Sequence, residues 1–218
     1  MKFYTIKTPT IIQKFFSNYR WRFSSVPKEI YLTFDDGPTL EVTNFVLEEL
    51  KKHQAKATFF CIGKHIKAYP KVFSDIIKQG HTVGNHTYSH SKIFGFLKTE
   101  DVIEELLKTN DIVKKTSGLM MQLYRPAFAV TNPRIKKALK VTKLQSIGWS
   151  VRSLDTTPRT SEMIFKRTIK NLSKGDVILL HDTSLKSIVV FEQLLLFLQE
   201  QNIESVTIDS LFNIKAYA

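Results

Sequence analysis

From Glu29 onward, short apolar runs rich in β-branched and aromatic residues alternate with longer segments whose apolar positions recur every three or four residues. That alternation predicts parallel strands joined by crossover helices. Seven strands are expected, at 30–34, 57–62, 81–84, 122–125, 144–149, 177–180 and 205–208, with helices at 41–53, 70–79, 99–115, 133–140, 161–171 and 185–201. Pro70 and Pro133 suit a first helical turn, Asn132 can cap one, and Gly80 can close another. Residues 29–218 therefore read as a single α/β domain. Residues 1–28 read as an N-terminal arm in which Ile11, Ile12, Phe15, Phe16 and Tyr19 fall at helix-like offsets beside Lys14, Arg20 and Arg22. A short helix closing the domain is expected there, with a helix lying weakly on a membrane surface as the alternative.

Composition narrows the class. The chain has 218 residues, 43% of them hydrophobic and 24% charged, so it can hide roughly two thirds of the surface its unfolded form exposes without a disulfide or structural metal. Cys61 is the one cysteine and excludes an internal bridge; core packing is its expected role. The longest apolar runs, such as 189–198, fall short of the roughly 18 to 20 residues that a membrane span needs. The first residues lack the apolar centre and small-residue cleavage site of an export signal, so a cytoplasmic address is the default expectation. The net charge of +12 favours anionic partners: cell-wall polymer, nucleic acid or a phospholipid face. No nucleic-acid module accompanies the lysines, so they read as solvated helix faces and no specific nucleic acid is expected.

Five groups of polar residues stand at predicted strand ends, where α/β architectures collect their chemistry. In Thr33-Phe34-Asp35-Asp36-Gly37-Pro38, two adjacent carboxylates leave a strand in different directions; beyond an ordinary polar turn, one can bind a metal while its neighbour stays free as a base. In Gly84-Asn85-His86-Thr87-Tyr88-Ser89-His90, two imidazoles four residues apart would share one face of a helical turn and chelate one cation. Val177 to Asp182 is an apolar strand ending in His181, either a reactive group or a packed ring. Arg125, in Tyr124-Arg125-Pro126-Ala127-Phe128, can hold a carboxylate bidentately, and Asp155, in the stretch from Trp149 to Asp155, can orient an imidazole. Either also suits a structural ion pair. His53, His65 and His81 have no comparable partner and read as structural or exposed.

Taken in order, these five groups resemble the five motifs of the polysaccharide deacetylase family, the NodB-homology or carbohydrate esterase 4 group, across about 29–208. The resemblance implies a distorted (β/α) barrel of about seven strands. It implies that Asp36, His86 and His90 form the metal triad, that Asp35 is the catalytic base and that His181 is the general acid. Arg125 matches the arginine that holds the base, Asp155 the carboxylate behind the acid, Leu179 the apolar wall around the acetyl methyl, and the N–H after Pro126-Ala127, that of Phe128, an oxyanion donor. Two departures stand out. Ala127 replaces the second proline of an Arg-Pro-Pro pattern, and Arg152 and Thr156 replace an acidic residue and an aromatic groove wall.

The activity so implied is metal-dependent removal of acetyl groups from a polysaccharide or oligosaccharide, foremost the N-acetylglucosamine residues of peptidoglycan or chitin-type glycan. One divalent ion is expected, zinc ahead of cobalt, nickel or manganese. The alternatives are a carbohydrate-binding homologue with impaired turnover and an O-acetyl xylan esterase.

Overall fold

The computed structural model of the chain describes residues 29–170, 172–210 and 214–218. The arm expected at 1–28, with its closing helix, lies outside the described residues. In strand β1 (Glu29–Asp35), successive side chains point to opposite faces, and the sequence sorts them accordingly. Ile30, Leu32 and Phe34 enter a large core shared with Ile178 and Leu180 and with Leu194 and Leu198 of the last helix. Tyr31 faces the other way into a second core with Phe60, Trp149, Val177 and Leu179. The first core is the layer between sheet and helices; the second fills the barrel interior. Thr33 and Asp35 continue the inward row, so the alternation that buries Tyr31 also carries a carboxylate to the barrel mouth.

The other strands are β2 (Ala57–Cys61), β3 (Thr82–Asn85), β4 (Leu123–Tyr124), β5 (Gln145–Ser146), β6 (Val151–Arg152), β7 (Val177–His181) and β8 (Glu204–Ser205). The sheet runs β5-β4-β3-β2-β1-β7-β6, with β8 beside the start of β1, and every pairing between these strands is parallel. The path ends at β5 on one side and β6 on the other, giving a curled, open barrel. Among the described residues seven α-helices surround it: α1 (Val42–Lys52), α2 (Gly63–Ala68), α3 (Pro70–Lys78), α4 (Thr99–Ser117), α5 (Pro133–Thr142), α6 (Ser161–Ile169) and α7 (Leu185–Glu200). Pro70 and Pro133 open α3 and α5, the Asn132 side chain accepts from the N–H groups of Arg134 and Ile135, and Gly80 turns the chain after α3 at φ +76°. Cys61 is fully buried in the sheet–helix core.

Three elements differ from the sequence pattern. Helix α2 has only six residues before Pro70, too few for a 3.6-residue period to register. The strand expected at 144–149 shrinks to Gln145–Ser146 because the carbonyls of Ile147 and Gly148 turn to accept hydrogen bonds from Arg125. The chain then rejoins the sheet as β6, through residues the pattern left in a loop.

His81, at the opposite end of β3 from the candidate site, is 5% exposed and packs edge-on to Phe59. Burial first, and the Lys56 charge second, lower its pKa to about 4. An unfolded histidine binds its proton near pH 6.5, so stability carried by neutral His81 above that pH is lost as pH falls toward 4. The span corresponds to about 3 kcal/mol. Urea unfolding of wild type and His81→Gln at pH 7 and pH 4 should show a smaller acid-induced loss in the variant; equal losses would exclude this role.

Candidate active site

Asp35 is the last residue of β1, and Asp36 follows with φ 78°. This left-handed residue swings its carboxylate away from that of Asp35. Its Oδ1 lies 3.3 Å from Nε2 of both His86 and His90, and the three potential ligand atoms all fall within 4.8 Å of one another. The Nδ1 of His86 lies 2.8 Å from the Arg125 carbonyl. A carbonyl only accepts, so the neutral ring carries its proton on Nδ1 and presents the Nε2 lone pair to Asp36. Asp36 Oδ1 is buried without a hydrogen-bond partner. Acceptors facing one another across a buried gap are the donor set a divalent cation fits. Burial opposes ionisation of Asp36, but contact with His86 and the nearby His181 and His90 rings hold its pKa well below the usual carboxylate range. Burial above all, with the neighbouring His86 ring second, lowers the His90 pKa to about 4, leaving that ring neutral at ordinary pH.

The two histidines do not share a helical turn, as their spacing suggests. They flank a loop in which Thr87 and His90 adopt φ 66° and 49°. A β-branched residue there is strained, at about 1–3 kcal/mol, and persists only if its surroundings enforce it. The loop is held from both sides. The Thr87 and Tyr88 carbonyls accept from the first N–H groups of α2, Gly63 at 2.9 Å and Lys64 at 3.0 Å. Asn85 Oδ1 accepts the Thr87 N–H at 2.8 Å. Glu105, on α4, accepts the Tyr88 and Ser89 N–H groups and the Ser89 hydroxyl.

Arg125 follows β4 and is wholly buried. Its guanidinium donates to Thr33 Oγ1 at 2.7 Å, Asp35 Oδ1 at 3.1 Å, and the carbonyls of Ile147 and Gly148 at 3.1 and 3.0 Å, and lies 4.2 Å from the Phe60 ring centroid. Its partners thus fix Asp35 beside the cluster, with Asp35 Oδ2 3.9 Å from His86 Nε2. Pro126 leads into a tight turn, Ala127–Ala129, where Ala127 is buried beside Phe94 and Val102. Phe128, at φ 54°, is half-exposed and stacks obliquely on His90 at 4.3 Å.

His181 ends β7, paired in register with Asp35. Its Nδ1 lies 2.8 Å from Asp155 Oδ1, while its backbone N–H donates to Asp155 Oδ2 at 2.8 Å. Burial alone would lower the His181 pKa, but the hydrogen bond and charge of Asp155, with Asp35 and Asp36 beyond, raise it to about 9. Burial likewise opposes ionisation of Asp155, yet His181 keeps its pKa lowered. Leu179 lies two residues earlier on the same face, buried in the barrel interior.

Two carboxylates escape the sequence reading. Glu105 lies in an ordinary amphipathic helix, and nothing in its spacing announces a contact with the histidine loop. Asp182 follows His181 but is buried away from it, with Thr43 donating to its side chain and Thr39 to its carbonyl. Burial, partly offset by Thr43, raises its pKa to about 7. Its carboxylate lies directly under Gly37, where a β-carbon would come within 2.1 Å of it, so only glycine fits that turn.

Residues 24–147 match the family model described as polysaccharide deacetylase. The chain is 32% identical over 188 residues to the peptidoglycan-N-acetylmuramic acid deacetylase PdaC of Bacillus subtilis, covering 86% of this chain and 39% of that one. It is 30% identical over 205 residues to a peptidoglycan-N-acetylglucosamine deacetylase of Bacillus cereus, covering 89% and 93%. Several of the curated relatives are much longer, and the chain spans about two fifths of their length. Among solved structures, the Bc1960 peptidoglycan N-acetylglucosamine deacetylase superposes with a TM-score of 0.87 at 28% identity, over 97% of this chain and 100% of that one. Sequence, fold and the order of the strand-end motifs agree: the chain belongs to the polysaccharide deacetylase family.

Proposed function

We propose that this chain is a metal-dependent hydrolase that removes acetyl groups from a polysaccharide, with the N-acetylated sugars of peptidoglycan as its substrate class. The observation that carries this reading is one arrangement: the Asp36–His86–His90 cluster has the Arg125-held carboxylate of Asp35 on one flank and the Asp155-supported imidazole of His181 on another. The names of the relatives support peptidoglycan over other acetylated glycans.

Asp36, His86 and His90 would hold the cation, with zinc the first candidate for two imidazoles and a carboxylate. Such an ion supplies Lewis acidity, polarising the acetyl carbonyl and acidifying water. Asp35 takes the proton of the attacking water, its carboxylate oriented by Arg125. The Phe128 N–H faces the developing oxyanion, an interaction that elsewhere contributes about 2.7–4 kcal/mol. His181, protonated at neutral pH, gives a proton to the departing amine, without which the intermediate would expel water instead. Leu179 lines the space for the acetyl methyl. Ala127 packs the turn beneath Phe128 into the cluster of Phe94 and Val102.

Asp35→Asn and His181→Ala should each lower kcat by about 10²–10⁴-fold while leaving metal content near wild type. His86→Ala should lose the metal itself. Acetate release from peptidoglycan and N-acetylglucosamine oligomers, with metal analysis of the same preparations, measures both; full activity in Asp35→Asn removes the base assignment.

A pH profile tests the acid. His181 must be protonated to act, so kcat/KM should fall as pH rises through about 9. In Asp155→Asn the raising influence is gone while burial remains, so that limb should move to lower pH. An unmoved limb would mean that the falling arm belongs to another group.

A further inference from the structure

We propose that Glu105 is a positioning residue for the candidate cation site, setting its metal affinity from a helix that contributes no ligand. The inference rests on the reading of Asp36, His86 and His90 as that site. Its motivation is the convergence of three donors on one oxygen: Glu105 Oε2 accepts the N–H groups of Tyr88 at 3.1 Å and Ser89 at 2.8 Å, and the Ser89 hydroxyl at 3.0 Å. Consecutive N–H groups beside left-handed residues form a concave nest that ordinarily attracts a free anion. Here the anion is part of the protein, so the nest is filled from behind and the loop's outer face is left to the two imidazoles.

On its other side the loop is held through its Thr87 and Tyr88 carbonyls, which accept from α2. Thr87 N–H is taken by Asn85 and His90 N–H by Thr87 Oγ1, both within the same chain segment. The second of these is internal to the loop, while Asn85 is tied to α4 through the Leu106 carbonyl and Asn110 Oδ1. The Glu105 contacts carry the Tyr88 and Ser89 N–H groups onto the same helix, which is anchored in the core through Val102, Leu106 and Val113. Lys108, one helical turn beyond Glu105, places its Nζ 3.9 Å from the Tyr88 ring centroid and grips the same residue from the same helix. Charge-assisted bonds to a carboxylate are stronger than neutral ones, so Glu105 is the firmest long-range tie on the residue preceding His90. Removing it would let Thr87 and His90 relax from their positive φ values, and His90 Nε2 would leave its position 3.3 Å from Asp36.

Loss of such an outer partner typically weakens metal binding by about 10–100-fold. The test is chelator-competition titration of zinc into metal-free full-length protein: wild type, Glu105→Ala, Glu105→Gln and Val113→Ala, each with a thermal melt. Glu105→Ala should raise the zinc Kd by about 10–100-fold, and Glu105→Gln, which keeps an acceptor oxygen without the charge, should fall between it and wild type. Val113→Ala loosens the same helix in its core two turns away, and should lower Tm while leaving the zinc Kd unchanged. Should Glu105→Ala fail to fold, the Gln variant carries the test. Tight zinc binding in wild type with an equal Kd in the folded Glu105 variants would overturn the assignment alone, as would a Kd that merely tracks Tm through Val113→Ala. Absence of zinc binding in wild type would overturn the cation-site reading, and the assignment with it.

Discussion

A guanidinium buried at the barrel mouth is the interaction on which the rest of the site depends. Arg125 is the largest fully buried side chain described, and taking its charge out of water is tolerable only because its surroundings answer it with a carboxylate, a hydroxyl and two backbone carbonyls. Each answer has a structural consequence. Holding Asp35 joins β4 to β1; drawing in the carbonyls of Ile147 and Gly148 ends β5 and redirects the chain toward β6; the Arg125 backbone carbonyl sets the tautomer of His86. Removing one partner of such a buried pair costs about 3–5 kcal/mol, because the other charge is left unmatched. The residue is therefore structural and functional at once, and the two roles share the same hydrogen bonds.

Around that centre the site separates two kinds of imidazole. His86 and His90 face one carboxylate oxygen, and burial keeps His90 neutral, a form suited to ligation, while His181 has its own buried carboxylate and carries a proton to about pH 9. One residue type thus serves opposite purposes within one pocket, and the difference comes from second partners rather than from the rings. Strain has a place in this arrangement. Asp36, Thr87, His90 and Phe128 all sit at positive φ, and each belongs to a turn that aims a group at the same small volume. Half-buried Glu105 and buried Asp182 stand behind two of those turns and brace them from outside the reacting centre.

Much of this protein is legible in its sequence. The mostly apolar runs of β1 and β7, the amphipathic spacing of α4, proline and asparagine at helix starts and glycine after α3 are local codes, and local chemistry decides them wherever the chain goes. The strand-end motifs are legible for a related reason: in a parallel sheet every strand delivers its last residues to the same edge, so topology gathers what periodicity has placed. What the sequence leaves open is whatever depends on a partner distant along the chain. His86 and His90 suggest a helix by spacing, but their loop is fixed by α2 and Glu105; residues 147–149 suggest strand, but their carbonyls answer Arg125; Asp182 and Glu105 look like ordinary surface acids until the fold buries one under Gly37 and closes the other on a histidine loop. Propensity and period are properties of neighbours in sequence, whereas the matching of buried charges and orphaned donors is a property of neighbours in space, and only the folded chain decides it.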